Sequence, residues 1–157
     1  MVDLKIKKLS PDATVPTRAD AGSSGWDLYA SEEVIINAGE RKVVATGLAM
    51  EVPVGYEIQI RPRSGIAAKQ GITVLNTPGT IDASYRGEVK VILVNTTSLR
   101  AKPDAPIEQL AALQFQIKKG DRIAQAVVMK LPEVTIVETE ELSDTSRGAG
   151  GFGSSGK

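Results

Sequence analysis

Apolar residues recur along the chain in short runs with a two-residue period, and this pattern predicts β-strands. The alternation is clearest from Tyr56 to Ile60, where isoleucines alternate with polar side chains. Clusters of β-branched residues predict further strands at residues 34–36, 43–44, 89–94, 127–128 and 134–137. Many short strands at this spacing are typical of a sandwich, barrel or jelly roll. We therefore predict an all-β fold.

Glycine turns of one style separate several of these strands. Gly39, Gly55 and Gly120 each stand where a hairpin turn needs a positive φ angle. One short helix is predicted at residues 106–113, which have proline at the start and apolar residues at i, i+3 and i+6.

The apolar pattern stops at Leu142, and residues 147–157 contain five glycines and two serines. Arg147 and Phe152 lie among these glycines and supply a guanidinium for phosphate and a ring for stacking. The segment is therefore either a disordered tail or a lid that closes over a ligand. We expect residues 1–146 to form the β domain and residues 147–157 to form a flexible glycine-rich arm.

The chain contains neither cysteine nor histidine. This excludes disulfides, thiolate nucleophiles, Ser-His-Asp triads and ordinary zinc sites. A catalytic base would be a carboxylate, and a bound metal would be a hard, oxygen-liganded ion such as Mg2+. Lys plus Arg and Asp plus Glu both number 19, so no net charge attracts a nucleic acid polymer or an anionic membrane. Without a bilayer-length apolar run or a signal-peptide core, we expect a soluble, cytoplasmic protein.

Three polar segments carry side chains suited to phosphate or metal binding. Arg63 offers a forked donor, Ser64 a hydroxyl, and Gly65 a backbone that a ligand can approach closely. Asp27 is a single carboxylate among apolar residues that could orient metal-bound water or pair with a cation. Gln125 could donate to a ligand or lie at a subunit contact. Taken singly, none of these segments decides the function.

A fourth segment, residues 76–88, places polar and turn residues before a strongly apolar strand. A hairpin here would present Asn76, Asp82 and Tyr85 from one small region. An amide can read the edge of a base, a carboxylate can take a proton from water, and a ring can pack on a sugar. The alternative is an ordinary β-turn, in which Asn, Pro, Gly and Asp are common.

Together, the segments resemble the sequence motifs of the trimeric dUTPase family, in the same order and spacing. The resemblance extends from residue 21 to residue 156, and the five motifs match residues 25–30, 62–67, 76–89, 120–125 and 147–156. It implies a jelly-roll-like β-barrel subunit, a homotrimer, and three active sites at the subunit interfaces. It also implies Mg2+-dependent hydrolysis of dUTP to dUMP and pyrophosphate, which removes dUTP from the nucleotide pool and supplies dUMP for dTMP synthesis.

The resemblance also assigns roles to individual residues. Asp82 would be the general base that activates water for attack at the α-phosphorus. The Tyr85 ring would support deoxyribose and exclude a 2'-hydroxyl, and Asp27 would hydrogen-bond to water on Mg2+. Uracil would be recognised by Asn76 and the main chain of Gly79, Thr80 and Ile81. The phosphates would be held by Arg63, Ser64, Gly65 and Gln125. A closing arm would contribute Arg147, Phe152, Gly153 and Ser154.

Residues 98–116 form a longer connection than the turn expected from this family. We expect a surface insertion there that could bind a partner protein. Two alternatives share the fold: a dCTP deaminase, which would need a catalytic glutamate near the base, and a trimeric regulatory or binding module without turnover. Gly65 and the sequence from Asp82 to Tyr85 favour a dUTPase over the deaminase. The presence of Asp82, Arg63 and Arg147 argues against the module.

Overall fold

The computed structural model describes residues 2–97 and 113–151, which form antiparallel strands and one short helix. The helix, α1, spans Ser64–Gln70. The strands, in chain order, are β1 (Lys5–Lys8), β2 (Trp26–Tyr29), β3 (Val34–Ile36), β4 (Arg41–Glu51), β5 (Tyr56–Arg61), β6 (Ile72–Val74), β7 (Gly79–Ile81), β8 (Glu88–Asn95), β9 (Phe115–Ile117) and β10 (Arg122–Lys130). Across these two ranges, no helix has the length and apolar character needed to cross a bilayer.

The strands of the described residues form three sheets. One has the order β1, β4, β8, β6, the second has the order β2, β10, β5, β7, and the third pairs β3 with β9. The two larger sheets contribute inward-facing side chains to one core, in which Leu28, Leu48, Ile58 and Leu93 are fully buried. Burial alternates along β8, as expected for a strand with one face on the core. The predicted jelly-roll-like, all-β fold is confirmed.

Most of the predicted strands are present, but the one predicted at residues 134–137 is wrong. This segment pairs with no strand in the described part of the chain, and the exposures of Val134, Ile136 and Val137 are 73%, 94% and 75%. β-branched residues favour a strand only where a neighbouring strand and a packed face are available, and here the chain itself provides neither. The helix predicted at residues 106–113 lies outside the described residues except for its last position.

The three predicted turn glycines are confirmed. The φ angles of Gly39, Gly55 and Gly120 are 74°, 83° and 84°, which place all three in the left-handed region that favours glycine. Each of these turns follows or precedes a strand of the core, so the turn chemistry read from the sequence correctly located strand ends.

Helix α1 was not predicted. It follows β5 directly and ends at Gly71, whose φ is 66° and whose N–H donates to the carbonyl groups of Ala67 and Ile66. None of its seven residues is fully buried, so it lacks the apolar stripe by which a helix is recognised in a sequence. Its consequence is local: the first helical turn fixes Ser64 and Gly65 beside Arg63.

A buried amide holds the end of β8 in place. Asn95 is 1% exposed, and its Nδ2 donates to the carbonyl oxygens of Ile36 at 3.1 Å and Leu113 at 2.9 Å. Its Oδ1 accepts from the Thr97 N–H at 3.0 Å. One side chain therefore joins β8 to β3 and to the chain just before β9.

We expect Asn95→Leu to lower the free energy of unfolding by about 3 kcal/mol, because one buried and two partly buried backbone groups lose their partner. Urea unfolding at a fixed protein concentration measures this change. Gln116→Ala, on the exposed side of β9, is the control and should change stability by less than about 0.5 kcal/mol. Equal unfolding midpoints for the two variants would contradict the role of the Asn95 amide.

Candidate active site

Three of the predicted segments meet at one cavity of about 350 Å³, here called the arginine cavity. It is lined by the candidate residues Asp27, Arg63, Ser64, Gly65 and Gln125, together with Arg122 and residues of the loop before β2. The strand register explains this convergence. Gln125 of β10 stands opposite Asp27 of β2 on one side and Arg61 of β5 on the other, so segments far apart in sequence lie side by side.

Two guanidinium groups hold the carboxylate of Asp27. Its Oδ1 lies 3.0 Å from Nε of Arg63, and its Oδ2 lies 3.3 Å from Nη1 of Arg122. Nη1 of Arg63 also donates to the main-chain oxygen of Arg122 at 3.1 Å. The Asp27 side chain is only 16% exposed, so the pair is shielded enough from water to fix the direction in which Arg63 points.

The amide of Gln125 is also fixed. Its Nε2 donates to the carbonyl oxygen of Pro62 at 2.8 Å, next to Arg63 in the chain. Gly25 lies directly against this amide, and a Cβ atom at that position would collide with Oε1 of Gln125. Glycine at residue 25 therefore leaves the space that the Gln125 amide occupies beside the cavity.

A second cavity, of about 460 Å³ and here called the tyrosine cavity, gathers the other predicted segment. Its lining includes Asn76, Thr80, Ile81, Asp82 and Tyr85. The expectation of a two-stranded hairpin is wrong in detail, because β7 pairs with β5 while β8 belongs to the other large sheet. The segment is instead a turn that crosses between sheets, with the Tyr85 N–H donating to the Asp82 carbonyl at 3.1 Å.

The ring of Tyr85 has a defined position. Its hydroxyl donates to the main-chain oxygen of Glu88 at 2.9 Å. The ring lies over Gly87, where an added Cβ would come within 2.5 Å of the hydroxyl oxygen and 2.6 Å of Cζ. The turn therefore presents Tyr85 in one orientation at the edge of the cavity, 42% exposed.

In one chain the two cavities are separate and have no lining residue in common. Ile81 of β7 stands opposite Ile58 of β5, and Asp82 continues away from the end of β5 that leads to Arg63. Ile58 and Arg61 alone are about 10 Å apart along the strand, and both candidate residues lie beyond that interval in opposite directions. Asp82 and Arg63 of one chain therefore do not face a common phosphate.

The structure does not bring Arg147 to either cavity. Its Nε donates to the carbonyl oxygen of Gly150 at 2.8 Å, within its own turn. The other arm residues predicted to contact a ligand, Phe152, Gly153 and Ser154, lie outside the described residues.

Comparison with known proteins identifies the family. A model of the dUTPase family matches residues 11–156, which include both cavities. The chain belongs to the dUTPase family.

Individual dUTPases show the same relationship. The deoxyuridine 5'-triphosphate nucleotidohydrolase of Nautilia profundicola is 54% identical over 154 residues, covering 98% of this chain and 99% of that protein. A solved structure of a Staphylococcus bacteriophage 80alpha dUTPase mutant with dUpNHpp has a TM-score of 0.88 at 28% identity, covering 100% of both chains. A mutant dUTPase from phage phi11 of S. aureus, described as coordinating a structural Mg(II) ion, has a TM-score of 0.79 at 26% identity and covers 89% of this chain and 98% of that one.

Three charged residues that line the two cavities were not selected from the sequence. Glu88 and Lys90 line the tyrosine cavity, and the alternation of β8 could have placed them together on its outer face. Arg122 lines the arginine cavity with Gln125. An odd spacing of three residues puts side chains on opposite faces of a regular strand, but a register shift at Arg122 to Ala124 brings both to one cavity. No sequence signal marks this irregularity.

We expect Gly25→Ala to displace the Gln125 amide and break its bond to the Pro62 carbonyl, because the new Cβ would occupy the position of Oε1. A crystal structure of the variant measures the displacement. Gly22→Ala is the matched control in the same loop, since its Cβ would meet only Oδ1 of Asp20 at 3.3 Å. If Gln125 keeps its position in the Gly25 variant, the proposed packing constraint is wrong.

Proposed function

We propose that this protein hydrolyses dUTP to dUMP and pyrophosphate, removing dUTP from the nucleotide pool and supplying dUMP for dTMP synthesis. The observation that carries the proposal is the pairing, in a chain of the dUTPase family, of a cationic cavity with a cavity that presents a carboxylate beside a fixed tyrosine ring. The first suits a triphosphate, and the second suits a nucleoside and the attacking water. The relative from Nautilia profundicola bears the name of this reaction.

Asp82 acts as the general base. It is exposed in the tyrosine cavity, where its carboxylate can take a proton from a water molecule. The water oxygen then forms a bond to the α-phosphorus, the bond from that phosphorus to the bridging oxygen breaks, and pyrophosphate leaves with the electron pair. A positioned base of this kind contributes roughly 100- to 10,000-fold to the rate.

The main chain of β7 reads the uracil. This strand is at the edge of its sheet, so the peptide groups on its outer side have no strand partner among residues 2–97 and 113–151. Gly79, Thr80 and Ile81 can therefore offer donors and acceptors to the base, with Asn76 beside them. Cytosine would leave some of these groups unpaired, and the thymine methyl group would collide with the close backbone. Tyr85 excludes the 2'-hydroxyl of ribose.

Arg63, Ser64, Gly65 and Gln125 bind the phosphates in the arginine cavity. The donor set there also fits Mg2+ carried in with the nucleotide. In the described ranges no three His, Cys, Asp or Glu residues form a metal-binding cluster, and Asp27 is the one carboxylate that lines this cavity. Mg2+ prefers to keep its waters and is usually held through substrate phosphates, so Asp27 would contact it through water. The ion would supply neutralisation of the phosphate charge.

The working enzyme is a homotrimer whose sites combine residues of different chains. The separation of the two cavities supports this proposal, because only another copy can bring Asp82 opposite Arg63. Three copies related by a threefold axis form a closed ring in which the same two surfaces meet three times. Large exposed apolar side chains after β10, among them Ile136 at 94% and Leu142 at 87%, supply surface of the kind that a subunit interface covers.

Residues 147–157 complete the site as an arm separate from the β domain of residues 1–146. In this proposal Arg147 binds the γ-phosphate, Phe152 stacks on uracil, and Gly153 and Ser154 close over the phosphates. Closure would exclude water and align the triphosphate. The protein partner expected at residues 98–116 and the cytoplasmic location stay predictions.

The deaminase alternative receives no support from the tyrosine cavity. A deaminase would need a glutamate available to the base, and the glutamate that lines this cavity is already engaged. Oε1 of Glu88 accepts from the Gly47 N–H at 2.9 Å, and its Oε2 pairs with Lys90 at 3.3 Å. Assaying dUTP and dCTP in parallel separates the two activities, and absence of turnover with both would favour a binding module.

We expect Asp82→Asn to retain nucleotide binding but to lower kcat for dUTP by roughly 100- to 10,000-fold, because an amide cannot accept the proton from water. Pyrophosphate release measures the rate, and titration calorimetry with a nonhydrolysable dUTP analogue measures binding. Asp3→Asn, a carboxylate outside both cavities, serves as the control. A variant with more than half of the wild-type rate would remove Asp82 from the mechanism.

A further inference from the structure

Arg122 was assigned no role from the sequence, yet it lies in the arginine cavity. Its side chain is 51% exposed, compared with 25% for Arg63 and 16% for Asp27. The strand irregularity at Arg122 to Ala124 directs it to the same side as Gln125. Such irregularities commonly redirect a side chain beside an active site.

Arg122 changes the net charge of the arginine cavity. Three charged side chains line it: Asp27, Arg63 and Arg122. Asp27 and Arg63 alone would form a neutral pair, with little attraction for a triphosphate. The second guanidinium leaves the cavity with one net positive charge, although its 51% exposure lets solvent and salt screen part of that charge.

Arg122 also contacts the carboxylate that orients Arg63. Asp27 has two oxygens, and Arg122 occupies Oδ2 while Arg63 occupies Oδ1. The carboxylate is thus contacted from both sides, and the second contact opposes its rotation away from Nε of Arg63. Since one N–H of Nη1 of Arg63 is bonded to the main-chain oxygen of Arg122, the donors left for a phosphate are Nη2 and the second N–H of Nη1. The side chain of Arg63 is thus oriented by its contact with Asp27, and Asp27 is in turn contacted by Arg122.

We propose that Arg122 is a positioning residue for the phosphate site: acting through Asp27, it holds Arg63 in the orientation that aligns the triphosphate for attack. This inference rests on the proposed hydrolysis of dUTP. Positioning of this kind affects the transition state more than the bound substrate, because a small misalignment of a phosphate contact costs more in rate than in affinity.

The test is a double-mutant cycle on the full-length protein with dUTP and saturating Mg2+. Arg122→Met keeps the length of the side chain but removes the charge and the forked donor, and we expect kcat to fall roughly 10- to 100-fold with a smaller change in KM. In the Asp27→Asn background the same substitution should lower kcat by less than about 3-fold, because the coupling through the carboxylate is already lost.

Two further variants separate the charge of Arg122 from its forked donor and supply a control. Arg122→Lys retains the charge but not the planar fork, and should recover the KM while restoring kcat only in part. Arg41→Met removes an exposed arginine at the start of β4, outside both cavities, and should leave kcat, KM and melting temperature unchanged.

Three results would overturn the proposal. They are a rise in KM alone for Arg122→Met, effects of Arg122→Met and Asp27→Asn on kcat that simply multiply, or full recovery of kcat by Arg122→Lys. The first and third would make Arg122 a source of charge only, and the second would make it independent of Asp27. A wild-type protein that does not hydrolyse dUTP would instead refute the proposed function, so the two failures are distinguishable.

Discussion

The pairing of β5 with β10 on one side and β7 on the other is the constraint on which both the arginine cavity and the tyrosine cavity depend. Through β10, this strand brings Asp27, Gln125 and the residues after Arg61 to one cavity. Through β7, it positions the turn that carries Asp82. The arginine cavity and the tyrosine cavity lie toward opposite ends of β5, so the strand that positions both also keeps them apart within one chain.

Because of this separation, the proposed hydrolysis of dUTP depends on assembly of the homotrimer. In a monomer, the arginine cavity and the tyrosine cavity would be too far apart for one substrate molecule to occupy both in a reactive arrangement. In the homotrimer proposed above, each copy would contribute its arginine cavity to one shared site and its tyrosine cavity to another, so that turnover would require the assembled trimer. Water exclusion and electrostatic alignment, which supply much of the rate in phosphate chemistry, would then be properties of the interface.

The sequence was sufficient for the fold class and the turn glycines, and most of the candidate site residues chosen from it line one of the two cavities. Spacing and turn chemistry locate Gly39 or Gly55 because these constraints are local. The sequence alone could not reveal that residues 79–81 pair with β5, since the pairing of strands far apart in sequence depends on the packing of the whole sheet. Arg122 was missed for a related reason, because a bulge changes the face of a side chain without altering the residue pattern. The wrong strand at Val134 to Val137 shows the converse: a strong local preference forms no strand without a partner.

The central claim, that Asp82 and Arg63 of one site come from different chains, can be tested by complementation. Chains carrying Asp82→Asn and chains carrying Arg63→Ala, each with little activity alone, are unfolded, mixed in equal amounts and refolded together. We expect recovery of about a quarter of the wild-type sites, since that fraction joins an intact Asp82 to an intact Arg63. The two variants refolded separately and then mixed without subunit exchange should show no recovery. If native mass spectrometry shows mixed trimers and the activity stays at the level of the separate variants, the two residues act within one chain and the account is wrong.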